Sequence, residues 1–498
     1  MENQEAIRHE SGGESFHIVT LGCSKNRVDS DGMGHLLRQQ GMRAVDAPGD
    51  ARVVIVNTCG FLGAARHESI AAIGSLLDRR QEDQVIIAAG CLPALGNHVA
   101  EVPAGVDHIL STREWYRIGD VVGGLLGKPE TPEVAGCEGM LTTFRRSDGG
   151  PSAYVKVADG CDHACAFCTI PSIKGRQVSK RPLHVLQEIV DLVEGGTREV
   201  VLVAQDTIRY GADIGMKHGL PQLLEMIVEQ VPTLDWLRML YIYPSPLTLR
   251  MVDVMSEHQA LVPYLDMPIQ HADKDVLRAM NRPSDIEMTR RLIDHARTRL
   301  DEPVMRTTLI VGYPGETEAR FATLQRFIEE MEFDHVGVFP YSPEEGTRAA
   351  LLEQTVPVEV AQERRDIIME LQQGISLKKN QALVGRSLDV LVEAVGEAED
   401  QMGTTEPISV GRARRHAPEV DGLVFIPGAH EIGSLINVEI EAAAPYDLWA
   451  RDPSRPVEVN AAREARQRPS PRVRSRAVSR RGRRAPGQPV PTARRAGT

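Results

Sequence analysis

The sequence lacks a membrane-spanning segment and an export signal. No stretch approaches the roughly 18 apolar residues that a transmembrane helix needs, and the N-terminus carries Glu2, Glu5 and Glu10 where a signal peptide has an apolar core. Nucleotide-binding glycine loops are also absent, because Gly123–Lys128 has the wrong spacing for a phosphate loop and Val311–Thr317 lacks the dinucleotide fingerprint. The lack of a membrane-spanning segment and of an export signal predicts a cytoplasmic protein with no membrane partner.

Cysteine is scarce, with seven residues in 498, and disulfides are rare in a reducing compartment. Three of the seven, Cys161, Cys165 and Cys168, form a Cys-x3-Cys-x2-Cys run. Four-iron clusters are normally held by four thiolates, and the run has no fourth cysteine nearby. The spacing therefore predicts a cluster with one open iron that binds a small chelating molecule, which makes the chain a candidate enzyme.

Two alternatives for this run stay open. A zinc ion could take His163 as its fourth ligand, although closing a tetrahedron is strained when that residue lies between Cys161 and Cys165. A disulfide with one spare thiol is less favoured, because nothing marks the chain as secreted.

Three further cysteines each follow a short β-branched run that reads as a buried parallel strand: Cys23, Cys59 and Cys91. The carboxyl ends of parallel strands lie along one edge of an open α/β sheet, where ligands bind. These cysteines are therefore predicted to converge on a second cluster, the alternative being that they are small residues packed at strand ends. Cys137 lies in a Gly/Pro-rich stretch and is predicted to be a free thiol.

The length suggests about three domains, and the pattern of strands and helices predicts a multidomain α/β protein. An open parallel α/β sheet comes first, a partial (β/α)6 barrel of the TIM type second, and a small antiparallel, OB-like β-barrel third. The predicted boundaries are 1–14 for a disordered N-terminus, 15–130 for the sheet domain, 131–150 for a linker, 151–376 for the large barrel, 377–448 for the small barrel and 449–498 for a disordered Arg/Pro-rich tail.

Polar residues follow several predicted strands of the large barrel, among them Gln205, Gln270 and Glu316. Active sites of such barrels gather at this edge. Each residue alone could equally be a helix cap or turn residue.

The net charge of −12 is unevenly distributed. Residues 453–498 carry +11, so the preceding 452 residues carry −23, and residues 385–448 carry −8 with only Phe425 and Tyr446 as aromatics. An acidic small barrel argues against broad nucleic-acid binding and favours a basic protein as partner. The basic tail could contact RNA, or it could be a solvated extension without a dedicated role.

The run Gly160–Cys168 resembles the signature of radical S-adenosylmethionine enzymes. With the three upstream cysteines and the small barrel, which corresponds to a TRAM domain, residues 15–450 resemble the methylthiotransferases. Within that family the chain is more similar to the group that modifies an aspartate of a small-subunit ribosomal protein (S12-type) than to the group that modifies transfer-RNA adenosine. The motifs that carry this similarity are Leu21–Ser30, Ala158–His163, Ile170–Arg176, Ala204–Thr207, Pro418–Val424 and Tyr446–Trp449. One departure is Pro93–Gly96, where the family often has basic or aromatic residues.

The resemblance implies two 4Fe-4S clusters and S-adenosylmethionine. Cys161, Cys165 and Cys168 would hold the cluster that cleaves S-adenosylmethionine, and the resulting 5′-deoxyadenosyl radical would abstract hydrogen from the aspartate β-carbon. An auxiliary cluster on the three upstream cysteines would carry the sulfur, and both clusters would face one cavity. Gln205, Gln270 and Glu316 would contact S-adenosylmethionine. A flavodoxin- or ferredoxin-like electron donor and the ribosomal protein, free or within its subunit, would be the partners.

Two rival functions remain at this point. One is a transfer-RNA adenosine methylthiotransferase. The other is a ribosome-binding protein whose clusters only sense iron or oxygen, which would release no 5′-deoxyadenosine.

Overall fold

The computed structural model describes residues 14–96, 98–127, 149–399, 405–454 and 472–474. Its contacts divide the chain into two compact units. The first unit comprises the residues before 147 together with Ser172–Gly175, and the second comprises Ser147–Pro171 and everything from Arg176 onward. Cys137 and most of the predicted linker lie outside the described residues, within which no helix is both long and apolar enough to cross a membrane.

The first unit is built on a five-stranded, fully parallel sheet in the order β2-β1-β3-β4-β5. Every residue of β3 and β4 is buried, which explains their continuous apolar sequences. The strands and helices are β1 (Ser15–Thr20), α1 (Ser24–Gln39), β2 (Arg43–Ala44), β3 (Val53–Thr58), α2 (Gly63–Leu77), β4 (Val85–Gly90), α3 (Cys91–Ala94), β5 (His108–Ser111) and α4 (Ile118–Leu125).

The second unit begins with eight strands, of which six are parallel and alternate with helices, while β7 and β8 form a short antiparallel pair. The six parallel strands confirm the predicted partial barrel. The elements are β6 (Ser152–Lys156), β7 (Ala158–Asp159), α5 (Ile170–Lys174), β8 (Val178–Ser179), α6 (Pro182–Glu194), β9 (Glu199–Val203), α7 (Gly219–Gln230), β10 (Trp236–Met239), α8 (Pro246–Glu257), β11 (Tyr264–Asp266), α9 (Lys274–Ala279), α10 (Ile286–Arg299), β12 (Val304–Val311), α11 (Glu318–Met331), β13 (His335–Pro340) and α12 (Val358–Gln381).

The barrel strands form two three-stranded sheets, β10-β9-β6 and β11-β12-β13. A parallel bridge between Leu237 and Leu261 joins the sheets, so the six strands curve in chain order without closing. The short pair β7 and β8 stands apart from them. One apolar core, formed by residues of the strands and of the helices packed around them, fills the barrel.

The C-terminal part of the second unit is a small β-barrel, as predicted, but the expectation of an antiparallel sheet needs one correction. Strands β16 and β18 run parallel, because β18 returns from a hairpin with β17 and lies between β17 and β16. The strands are β14 (Ser387–Glu399), β15 (Thr405–Ala413), β16 (Val424–Pro427), β17 (Leu435–Ala443), β18 (Leu448–Arg451) and β19 (Arg472–Arg474).

The region predicted as a disordered tail contributes two elements to this barrel. Strand β18 extends past residue 448, and Trp449 on it stacks on Phe425 with ring centroids 5.8 Å apart. Strand β19 pairs antiparallel with Glu397–Glu399 of β14. The rest of the tail lies outside the described residues.

Candidate functional site

The upstream cysteines follow three adjacent strands of the first sheet. Cys23 follows β1, Cys59 follows β3 and Cys91 follows β4. In this sheet the strand order reverses between β1 and β3, since β2 was added on one side of β1 and the later strands on the other, and ligands bind outside the carboxyl ends of the strands at that point. The fold therefore places Cys23 and Cys59 on either side of the ligand-binding crevice.

Two glycines allow the three cysteine loops to touch. Gly22 has a φ of +97°, and a Cβ there would lie 2.9 Å from the Cβ of Cys59 and 3.1 Å from its sulfur. A Cβ on Gly60 would lie 2.9 Å from the carbonyl carbon of Cys91. Only glycine fits at either position. The close approach and the set of three thiols suit a cluster held by three thiolates.

Asn26 ties the ends of these strands together. Its side-chain Nδ2 donates to the carbonyl oxygens of Leu21 and Thr58, both at 2.9 Å, and the Cys91 thiol lies 3.4 Å from its Oδ1. Asn57 in turn donates to the Asn26 carbonyl at 2.8 Å. This amide network holds the loops in register before any metal binds.

The thiol of Cys91 is strongly biased toward its protonated form. Burial raises its pKa to about 12, the ammonium of Lys174 opposes that shift, and the nearby thiols of Cys59 and Cys23 add to it. A thiol of this kind ionises near neutral pH only when a metal stabilises the thiolate.

The downstream cysteines lie on one loop that follows β7. Gly160, with a φ of +82°, starts the loop, and the Cys168 amide donates to the Cys165 carbonyl at 3.2 Å. Burial is the main cause that raises the pKa of Cys161 to about 11 and of Cys168 to about 12. Asp206 and Cys165 raise the pKa of Cys161 further, and Cys165 and Cys161 raise that of Cys168. All three cysteines of the loop are half-buried.

The contacts of the His163 side chain do not favour a role as a zinc ligand. Its Nε2 is hydrogen-bonded to Oδ2 of Asp206 at 2.7 Å, and its ring stacks on Tyr243 with centroids 3.9 Å apart. Among the described residues no three His, Cys, Asp or Glu side chains are close enough to hold a single metal ion. The bonding of His163 favours the cluster interpretation of the loop over a zinc ion bound by this histidine.

Arg282 brings a positive charge to the downstream loop. Its Nη1 lies 3.9 Å from the sulfur of Cys165, and its guanidinium lies 4.1 Å from the ring centroid of Tyr243. Asp206 lies in the Ala204–Thr207 motif, but no sequence motif pointed to Arg282 or Tyr243. Arg282 is 117 positions from Cys165, so no local pattern links them.

The three residues expected to contact S-adenosylmethionine all lie at the carboxyl edge of the large barrel. Gln205 follows β9 and donates to Asp159 at 2.8 Å, while its buried Oε1 has no hydrogen-bond partner among the described residues. Gln270 follows β11 with a φ of +72°, a conformation that non-glycine residues rarely adopt. Such strain is often retained at functional sites.

Glu316 is placed differently from the two glutamines. It is fully buried, and its carboxylate accepts from the Gly312 amide and lies 3.4 Å from His271 and 3.3 Å from Arg364. Both of its carboxylate oxygens therefore already have protein partners.

Family models match three regions of the chain. Residues 15–111 match the Uncharacterized protein family UPF0004, residues 155–328 match the Radical SAM superfamily, and residues 384–451 match the TRAM domain. The order agrees with the sheet domain, large barrel and small barrel described above.

Full-length relatives are also similar. The chain is 42% identical to proteins named "Ribosomal protein uS12 methylthiotransferase RimO" from Roseiflexus sp. (strain RS-1) and Chloroflexus aurantiacus, over 87% of this chain and 96% and 98% of theirs. The protein of that name from Thermosynechococcus vestitus is 40% identical over 87% of this chain and 96% of its own.

A solved structure shares the fold at low identity. The radical S-adenosylmethionine methyltransferase TsrM from Kitasatospora setae, with cobalamin and a 4Fe-4S cluster bound, has a TM-score of 0.51 and 14% identity over 68% of this chain and 74% of that one. At this identity the likeness concerns fold alone.

Proposed function

Because the chain belongs to the family of ribosomal protein uS12 methylthiotransferases, we propose that it inserts a methylthio group at the β-carbon of an aspartate in that small-subunit ribosomal protein. The observation that carries the proposal is the presence of two separate groups of three cysteines, one at the carboxyl ends of three parallel strands and the other on the single loop that follows β6 and β7. Joining a methylthio group to an unactivated carbon through its sulfur requires both a radical source, which removes hydrogen from that carbon, and a sulfur carrier. Two distinct sites meet that need.

A radical S-adenosylmethionine enzyme uses an iron–sulfur cluster and S-adenosylmethionine, and the matched superfamily region contains the downstream cysteines. Cys161, Cys165 and Cys168 would hold that 4Fe-4S cluster. The other three, Cys23, Cys59 and Cys91, would hold an auxiliary 4Fe-4S cluster. When bound, these groups would supply one-electron reduction of S-adenosylmethionine, a radical able to abstract hydrogen, and a transferable sulfur.

The protein's own residues orient the downstream site. Arg282 would stabilise negative charge on Cys165, and Asp206 would fix the ring of His163 against Tyr243, which holds the loop in one conformation. Gln205 and Gln270 would contact S-adenosylmethionine. Glu316 would contribute mainly by positioning His271 and the Gly312 amide.

The substrate proposal draws support from charge. Residues 385–448 carry −8, which suits a basic ribosomal protein, free or within its subunit, better than RNA phosphates. A small one-electron carrier of the flavodoxin or ferredoxin type would act as the electron donor in the cytoplasm. The basic tail beyond residue 452 could add contacts to ribosomal RNA.

The test compares substrates directly. Anaerobically reconstituted enzyme is incubated with reductant, S-adenosylmethionine and either the ribosomal protein with its subunit or an isopentenylated transfer RNA. We expect the mass of a methylthio group on the protein alone. Modification of the transfer RNA instead would replace the proposal with the rival substrate, and absence of 5′-deoxyadenosine release would favour a sensor.

A single variant separates the two clusters. In Cys23→Ala we expect 5′-deoxyadenosine release to persist while methylthio transfer is lost, because only the auxiliary site loses a ligand. If a folded variant loses both activities, the proposed division of roles is wrong.

A further inference from the structure

Lys174 is a buried cation in the first unit, and its side chain is 3% exposed. Its ammonium lies 3.1 Å from the carboxylate of Asp29, itself 2% exposed, and donates to the Thr112 hydroxyl at 2.6 Å. A buried ion pair costs about as much in desolvation as it returns in attraction, so it is weak evidence for a role in stability. Its place in the fold suggests another role.

The pair lies beside the upstream cysteines. Ile173, next to Lys174, belongs to one buried apolar cluster with Cys91 and Leu95. The amide of Thr112 donates at 2.8 Å to the carbonyl of Gly90, the residue before Cys91. Asp29 lies on α1, the helix that begins directly after Cys23.

The segment that carries Lys174 is fixed on both sides. Arg113 donates from Nε to the Ile173 carbonyl at 2.8 Å and from Nη2 to the Ser172 carbonyl at 2.6 Å. Gly175, with a φ of +80°, then turns the chain away. The ammonium is therefore held in place and is not a flexible surface charge.

We propose that Lys174 is a positioning residue of the auxiliary site, whose fixed positive charge beside Cys91 sets the reduction potential of the cluster there, with Asp29 as the opposing charge. The proposal rests on the proposed role of the three upstream cysteines as ligands. A fixed cation favours the reduced, more negative state of a cluster and raises its potential, whereas a fixed anion lowers it.

The test uses the full chain with Cys161, Cys165 and Cys168 all changed to Ala, so that only the auxiliary cluster can form. Three variants are added singly: Lys174→Met, Asp29→Asn and Lys174→Arg. The reduction potential is followed by electron paramagnetic resonance. We expect a more negative potential for Lys174→Met, a more positive one for Asp29→Asn, and little change for Lys174→Arg.

A purely structural role of Lys174 and Asp29 would not shift the reduction potential in opposite directions in Lys174→Met and Asp29→Asn. Thr112→Val removes a hydrogen bond of Lys174 without changing charge, and it should leave the potential close to that of the parent. Iron content and the thermal midpoint of the metal-free protein show whether each variant folds. If Lys174→Met does not fold, Lys174→Gln replaces it.

Unchanged potentials, or shifts of the same sign in Lys174→Met and Asp29→Asn, would overturn the proposal while leaving the cluster assignment intact. If the parent with three alanines binds no iron, the ligand assignment fails, and the role of Lys174 fails with it.

Discussion

The guanidinium of Arg412, on β15 of the small barrel, is hydrogen-bonded to the carboxylate of Glu199, on β9 of the large barrel, and both side chains are fully buried. Glu199 also accepts from Nε of Arg238 at 2.8 Å, and Arg412 also donates to Glu393 at 2.7 and 3.0 Å. The two barrels of the second unit are thus joined by a buried ionic network. Removing one charged side chain from this network leaves the opposite charge buried with fewer ion-pair and hydrogen-bond partners.

Arg412→Met should therefore destabilise the second unit strongly. Breaking a buried ion pair from one side costs about 3–5 kcal/mol, since the remaining charge stays buried. The matched control is Arg451→Met on the same barrel, whose pair with Glu439 is about one-third exposed and should contribute less than about 1 kcal/mol. Urea unfolding of the metal-free protein measures both. Equal losses of unfolding free energy in the two variants would show that burial does not determine the cost of breaking the pair.

Glu199 should also give this unit a pH-dependent stability. Burial opposes its ionisation, but the charges of Arg412 and Arg238 outweigh burial and lower its pKa to about 2. A lowered pKa stabilises the fold fully above the ordinary glutamate pKa of about 4.3, and that stabilisation is lost as the pH falls toward the folded value. The difference in unfolding free energy between the parent and Glu199→Gln should shrink over that range. A difference in unfolding free energy that does not change with pH would show that Glu199 is not the source of the pH-dependent stability.

Iron analysis should separate the two cysteine groups. Two four-iron clusters predict about eight irons per chain. Changing Cys23, Cys59 and Cys91 together to Ala should leave about four, and so should changing the downstream three. Cys137→Ala is the control and should keep about eight. Eight irons retained after loss of the upstream cysteines would mean that those residues only pack.

Gly22→Ala should impair the auxiliary site specifically. The added methyl group would meet the Cys59 side chain, and the positive φ adds a cost of about 1–2 kcal/mol. We expect a lower iron content with the downstream cluster unaffected. Gly74→Ala, in helix α2 with open space around it, should instead be neutral or stabilise by about 0.5–1 kcal/mol. A Gly22→Ala protein with full iron content would show that the loops can separate.

Gln270→Gly tests the side chain without disturbing the backbone, because glycine adopts a positive φ freely. Loss of one polar contact should weaken S-adenosylmethionine binding about tenfold, which corresponds to about 1.4 kcal/mol. Equilibrium dialysis measures the dissociation constant, with the exposed Gln222→Ala as control. An unchanged constant would mean that only the backbone conformation at position 270 matters.

The sequence predicted most of the fold because each buried strand is a continuous apolar segment that can be recognised without knowing its neighbours. The β-branched runs before Cys59 and Cys91 were expected to be buried strands, and they form Val53–Thr58 and Val85–Gly90. The two-residue strand β2 was missed because both of its residues are exposed and carry no apolar pattern. Strand β18 was not predicted, and the boundary of the small barrel was placed at its first residue, because the Arg-rich composition begins just after it.

The cysteines were also found from local spacing, but the residues around them were not. Lys174 pairs with Asp29 across 145 positions, and nothing in either neighbourhood marks the partner. Likewise, the assignment of Ser172–Gly175 to the first unit follows from contacts with residues such as Arg113. Single-sequence periodicity carries no information on such pairings.

The four residues Ser172–Gly175 make the first unit discontinuous in the polypeptide. A fragment truncated at position 146 would lack the ammonium that faces Asp29 and the two carbonyls that Arg113 binds. Expressing this half alone would therefore require a peptide graft that restores the missing turn. Swapping halves between relatives would likewise have to exchange that short piece together with the N-terminal portion.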